Sequence, residues 1–387
     1  MVTTIRQIPQ SGAQYFNEIF TSYLFSYGST NYGSIAEALR KSKNDYTDGS
    51  TTRIVSLLGD PALALAIAKP NVVLTKVNDI PISQPIDDFK ALSYVKITGE
   101  VRDETGSLLN NYNGELAVTI FDKDYTKNTL RNDNYDAMIS PTATATYFPF
   151  TSLGEAIFRG NASVTNGSFE FGFVVPRDIK IPLGNGRISF YTKRNQTRLD
   201  KTGYNVNIKV GGINTNAPAD TTPPKVRLYM NDETFLNGGN TNQSPYFLAF
   251  LDDEHGINTA SGIGHDIVAV LDGNESNPYI LNDYYETELN NYTKGKIRFP
   301  FRNLSVGLHT ITFKAWDVYN NYVTSELQFV VVGDEDVVLT NVLNYPNPFV
   351  NYTEFWFTHN KPYENLDVQV QIFTITGKVV KTINQSV

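Results

Sequence analysis

The stretch Leu308-His309-Thr310-Ile311-Thr312-Phe313-Lys314-Ala315-Trp316-Asp317 carries Ile311, Phe313 and Ala315 at alternate positions, with Thr310 and Thr312 on the other parity. Side chains of an extended chain point alternately to opposite faces, so this spacing predicts a strand with one buried and one polar side. Asp317 to Asn321 then supplies a turn. The same period of two recurs upstream in Val95/Ile97/Gly99/Val101, Val118/Ile120, Phe169/Phe171/Phe173, Ile188/Phe190 and Val206/Ile208/Val210. Nearer to it lie Val226/Leu228/Met230, Ile267/Ala269/Leu271 and the apolar run Phe329-Val330-Val331-Val332. Gly, Asn, Asp and Pro punctuate these runs every ten residues or so, which is a β-sandwich pattern, and the fold class is mainly β.

Residues 1–68 read differently. Phe16, Ile19, Phe20, Tyr23, Leu24 and Tyr27 follow the spacing of one buried helix face. Ser11 stands three residues before Gln14, and Ser34 three before Glu37, so each pair predicts a capping box at a helix start. The second helix turns Ile35, Ala38 and Leu39 inward, and Arg40, Lys41 and Lys43 suit the negative end of its dipole. Two helices with one apolar face each, beside a lone strand over Met1 to Ile5, do not close a core, so an incomplete α/β domain is expected.

Four segments follow: 1–68 as the α/β piece, 69–216 as a first sandwich, 217–333 as a second, and 334–387 as the opening of a third. The clearest linker runs from Gly211 to Pro224, polar and rich in Gly and Pro, and is expected to bury almost nothing. The last unit shows two or three strands, among them Val368/Val370/Ile372 and Val379/Val380, and is expected to be too short to close.

A length of 387 residues predicts two to three domains, and 41% hydrophobic residues give each a core, which excludes global disorder. The apolar run Ala62 to Ala68 is far too short to span a bilayer. A net charge of −8 disfavours a nucleic-acid partner. The start Met1-Val2-Thr3-Thr4-Ile5-Arg6 lacks the pattern of a secretory signal, so either the protein stays inside or Met1 is not its native start. Zero Cys removes disulfides, thiolate metal sites and a cysteine nucleophile from these residues.

The four histidines, His255, His265, His309 and His359, fall in no paired metal spacing, and no serine-nucleophile elbow, phosphate loop or dinucleotide fingerprint occurs. His309 reads as a satisfied edge histidine. Asp122 with Asp124, and Asp252 with Asp253, could gather oxygen ligands for calcium, although acidic loops between sandwich strands are commonly just solvated. Gly59-Asp60-Pro61 reads as a structural turn that stops a helix and starts a strand. The aromatics sit at alternating strand positions and read as core.

Tyr32 to Arg40 followed by Leu57-Leu58-Gly59-Asp60-Pro61-Ala62-Leu63 resembles the end of the catalytic domain in gingipain-type cysteine peptidases. Asp252 to Thr259, Gly262 to Ile267 and Lys314 to Asn321 resemble the branch of that family acting as sortase and signal peptidase of the type IX secretion system of Bacteroidota. Tyr345-Pro346-Asn347-Pro348-Phe349, with Ile372 to Val380, is similar to type IX sorting domains. The resemblance implies the C-terminal remnant of a caspase-like α/β domain followed by tandem immunoglobulin-like β-sandwiches. It further implies a catalytic His and Cys upstream of Met1, no catalytic residue in this chain, and no required cofactor. Its partners would be an outer-membrane barrel and cargo sorting domains, met at the extracellular face of the outer membrane. Two rival readings are a secreted gingipain-like peptidase with a removable sorting domain, and a non-enzymatic adhesin of tandem sandwiches.

Overall fold

A computed structural model describes residues 2–4, 10–25, 33–47, 49–65, 68–130, 147–196, 199–261, 264–333, 339–361, 365–375 and 377–386. The chain is mainly β, and its larger sheets form two immunoglobulin-like sandwiches.

In the first 65 residues, helices Gln10–Leu24 and Ile35–Asp45 pack Phe16 and Phe20 against Ala38, Leu39 and Tyr46. Ile19, Tyr23 and Leu24 flank this core as the helical spacing predicts, while Tyr27 lies outside the described residues. Ser34 caps the second helix, its Oγ accepting from the Glu37 N–H at 3.2 Å. The Glu37 carboxylate turns instead to Arg40 at 2.7 Å. The expected box at Ser11 does not form, because the first helix already begins at Gln10 and the Gln14 amide donates forward to Glu18. Strand Val2–Thr4 is not alone either, since it pairs antiparallel with Val55–Leu57. That pairing also corrects the turn at Gly59-Asp60-Pro61, which follows this strand rather than a helix. Asp60 Oδ1 accepts from the Ala62 N–H at 2.8 Å, and the Leu63 carbonyl accepts from the Ile35 N–H at 2.8 Å, tying the turn to the capped helix.

The first sandwich faces the sheet Ala156–Val164, Gly114–Phe121, Arg187–Arg194, Asp200–Asn205 against the sheet Ser168–Val174, Tyr94–Val101, Val72–Val77, Ile80–Pro81. A small third sheet adds Phe89–Ala91, Gly184–Asn185 and Lys209–Ile213. Val95, Ile97, Val101, Val118, Ile120, Phe169, Phe173, Ile188 and Phe190 all enter one core, so the alternation read along these strands holds. Val206 does not: it is exposed, because Asn205 Oδ1 accepts from the Asn207 N–H and turns the chain before the next strand begins at Lys209. Gly203 lies so close beneath the neighbouring sheet that a Cβ there would meet the Val72 carbonyl oxygen at 1.8 Å.

In the second sandwich the sheet Lys225–Met230, Tyr246–Asp252, Asn291–Pro300, Tyr285–Glu288 covers the sheet Asn240–Thr241, Tyr322–Val331, Gly307–Trp316, Val268–Leu271, Tyr279–Ile280. Strand Gly307–Trp316 is central to its sheet, and Ile311, Phe313 and Ala315 are wholly buried on its inner face. Beyond residue 338 the described chain forms two hairpins, Leu339–Tyr345 with Glu354–His359 and Asp367–Phe373 with Val379–Ser386, giving four strands where two or three were expected. Among the described residues neither hairpin joins a larger sheet, and Val368, Val370 and Ile372 stay only half buried. Tyr345 ends the first strand of this hairpin and Pro346 to Phe349 enter its turn, held by the Thr353 hydroxyl donating to the Pro346 carbonyl at 2.9 Å.

Candidate functional site

The two sandwiches meet along a seam that combines hydrogen-bonding side chains with apolar contacts, among them Tyr292 against Tyr94 and Ala260 in the first core. Along strand Ala156–Val164, the Asn161 N–H donates to Thr287 Oγ1 at 3.0 Å and its amide nitrogen to the Thr287 carbonyl at 3.2 Å. The Ser163 N–H donates to Asn290 Oδ1 at 2.7 Å. Arg159 forms an ion pair with Asp283. Further along, Asp178 of the first sandwich gathers three groups of the second. Its Oδ2 accepts from the Asn258 amide and bonds the His265 Nδ1, both at 2.7 Å, and its Oδ1 accepts from the Asn320 amide at 2.7 Å. Beside this hub the Arg177 N–H donates to the Val318 carbonyl at 2.9 Å, and Val174 packs on Val318 and Tyr319.

On the second-sandwich side lies a group of acids. Asp253, 2% exposed, follows strand Tyr246–Asp252, and its Oδ1 accepts from the N–H groups of His255 and Gly256 at 2.9 and 3.0 Å. Its Oδ2 is buried without a hydrogen-bond partner. Burial pushes the Asp253 carboxyl up to about 7; those backbone bonds pull it down, while the charges of Asp317 and Glu254 push it further up. Asp317 is fully buried and accepts at 2.8 Å from the N–H groups of Tyr319 and Asn321 and from the Asn321 amide. Burial holds its carboxyl above the ordinary range against those bonds.

The third acid comes from the stretch expected to bury almost nothing. The Asp220 side chain is only 3% exposed, and its Oδ2 bonds His255 Nδ1 at 2.8 Å. Burial opposes its charge, but the Thr222 N–H and His255 outweigh that and keep its carboxyl below the usual range. The Asn321 amide donates to the Asp220 carbonyl at 3.3 Å, so the connector is bound down on the second sandwich. The ligand atoms of Asp220, Asp253 and His255 all lie within 4.8 Å of one another, a set that could hold a metal ion.

Of the four acids read from sequence, only Asp253 joins this group. Asp122 is buried, but Lys123 Nζ lies 2.5 Å from its Oδ1 and the Lys180 N–H donates to its Oδ2, so a lysine already balances its charge. Asp124 is exposed, and Asp252 pairs with Lys294 at the surface. Asp220, His255 and Asp317 were missed as a set. The one local signal was the crowding of acids and a histidine in Asp252-Asp253-Glu254-His255.

His309 is satisfied but not at an edge, since its strand is central. Its ring stacks on Phe329, Nδ1 bonds Asp272 Oδ2 and Nε2 bonds the Ser305 carbonyl, each at 2.7 Å. Burial opposes the charged ring, yet the bonds to Ser305 and Asp272 outweigh it and raise its pKa above 6.5. A raised folded-state value adds stability that is fully present below the unfolded value and is lost as pH rises through the folded one. His309→Gln is therefore expected to cost about 1–3 kcal/mol near pH 5 and clearly less near pH 9. Urea denaturation at the two pH values checks this; equal losses would show that charge plays no part.

Residues 1–66 match the family model of peptidase family C25. The chain is similar to dimeric latent PorU from Porphyromonas gingivalis, at 28% identity over 92% of this chain and 33% of that one, with a TM-score of 0.43. It thus spans about a third of the length of that protein. Red sea bream transglutaminase, at 9% identity over 69% of this chain and 32% of that one, gives a TM-score of 0.19. A tetra-tandem repeat from the extending region of a large adhesion protein, at 13% identity over 78% of this chain and 60% of that one, gives 0.18. No curated protein matches the chain. Among the described residues no helix is long and apolar enough to cross a membrane.

Proposed function

We propose that these residues are the C-terminal part of a gingipain-family cysteine endopeptidase of the PorU kind, a type IX sortase that removes C-terminal sorting domains from cargo at the cell surface. The observation that carries the reading is the C25 match over residues 1–66, followed in the same chain by two sandwiches. The motifs Asp252 to Thr259 and Tyr345 to Phe349 fall in the order the sequence resemblance implies. These 387 residues contain no Cys, so in such a protein the thiolate nucleophile is supplied elsewhere, and this stretch serves as brace and docking region.

Docking suits the hairpins beyond residue 338, whose strands leave Leu343, Trp356 and Phe373 more than half exposed. Unpaired strand edges accept a further strand through main-chain hydrogen bonds, the mode by which an extended segment of cargo or barrel would attach. The test is interferometry of the purified chain against an isolated cargo sorting domain. Saturable binding with a Kd of about 1–10 micromolar is expected, and no binding at about 100 micromolar would overturn the docking role.

A further inference from the structure

We propose that Asp220, Asp253 and His255 form a binding site for a divalent cation of the zinc class, placed where the connector between the sandwiches meets the seam. Three observations carry this. The ligand atoms of the three residues already lie within 4.8 Å of one another, although Asp220 reaches them from the connector and the other two from a loop of the second sandwich. Asp253 is 98% buried by its 2% exposure, and its Oδ2 has no partner, an arrangement that leaves a carboxylate oxygen stripped of water with nothing in return. Among the described residues no lysine or arginine forms an ion pair with Asp220, Asp253 or Asp317, and His255 is the one ring that faces Asp220.

The donor set selects the ion. Two carboxylates with one imidazole suit Zn²⁺, which takes nitrogen and oxygen at about 2.0–2.2 Å and completes its shell with water. Calcium needs six to eight oxygens and has no use for the ring. Asp317, its oxygens taken by Asn321 and Tyr319, adds negative field without ligating. The His255 Nδ1 bonds Asp220, which fixes the ring, and the ring lies tilted against Tyr319 with centroids 4.8 Å apart. Tyr319 in turn packs on Val174 of the first sandwich. A bound ion would therefore join connector, loop and seam at one point.

The test uses the chain without a polyhistidine tag, stripped with EDTA, and titrated with zinc chloride by calorimetry. One ion per chain is expected, with the unfolding temperature rising by about 5 °C at saturating zinc. Asp253→Asn and Asp220→Asn should each weaken binding at least about tenfold, which is about 1.4 kcal/mol. Asp252→Asn, at an exposed position paired with Lys294, should leave binding unchanged. Circular dichroism confirms that each variant folds, and the visible spectrum of the cobalt-loaded chain should lose its nitrogen-ligand signature in His255→Ala. Absence of saturable zinc binding, or zinc binding untouched by both carboxylate variants, would overturn the site. Tighter binding of calcium than of zinc would overturn the assignment of the ring as a ligand.

Discussion

Replacing Asp178 by Ala is expected to split the thermal unfolding of the two sandwiches into two transitions. One carboxylate, with 16% of its side chain exposed, holds the Asn258 and Asn320 amides and the His265 ring across the seam. Asn258 is itself wholly buried, and without Asp178 its side-chain nitrogen keeps only a 3.3 Å bond to Asn320 Oδ1. Leaving such donors unpaired costs about 3 kcal/mol, and the loss falls on the contact between domains rather than on either core. Apolar contacts also cross the seam, Val174 and Leu92 lying against Val318, Tyr319 and Tyr292 while Ala260 enters the first core, so the variant isolates what the polar hub adds to them. Differential scanning calorimetry reads the outcome directly. A single transition, merely shifted, would mean that the Asn161 to Asn290 ladder and the apolar contacts of Tyr292 and Ala260 suffice for coupling.

The larger effect on stability is expected from Phe313→Ala. Phe313 is fully buried on the central strand of its sheet and its ring lies 5.8 Å from that of Phe247. Truncating a buried phenylalanine removes its transfer energy and opens a cavity, for a loss of about 3–5 kcal/mol. Of the two tryptophans in the chain, Trp316 is on the outer face of the same strand with its ring centroid 4.4 Å from that of His265, so its fluorescence follows the unfolding of that strand and of the seam. In the otherwise native chain the first sandwich should unfold at the same lowered urea midpoint, because the seam links them. In the double variant with Asp178→Ala, the second sandwich should unfold first and alone. If Phe313→Ala alone already separates the transitions, the seam is weaker than its bonds imply.

Much of this architecture is written in local periods. The alternation in Tyr94–Val101 and Gly307–Trp316 is enough to say which side chains are inside, because a strand's face depends only on parity along its own length. Helix Ile35–Asp45 was equally legible, since its cap and its apolar stripe lie within one short segment. Ser11 and Gln14 show where such reading fails: the spacing fits a capping box, but the helix starts at Gln10, two residues before such a box would open it, and the box never assembles. The seam was out of reach for a different reason. Asp178 meets partners 80, 87 and 142 residues away, and Asp220 is covered by a loop 35 residues on. A polar, Gly- and Pro-rich connector and a scatter of asparagines carry no periodic mark, and their burial is decided only when two finished domains dock.

The seam's composition sets how it responds to its medium. Asn161, Ser163, Thr287 and Asn290 join through amides and hydroxyls, whereas Asn258 and Asn320 bond the Asp178 carboxylate and Arg159 pairs with Asp283. Dissolved ions weaken attraction between opposite charges, with a screening length that falls to about 3 Å at 1 M, but leave a short bond between neutral partners nearly unchanged. The ladder from Asn161 to Asn290 thus keeps its grip from dilute to briny surroundings, while the exposed pair of Arg159 with Asp283 slackens.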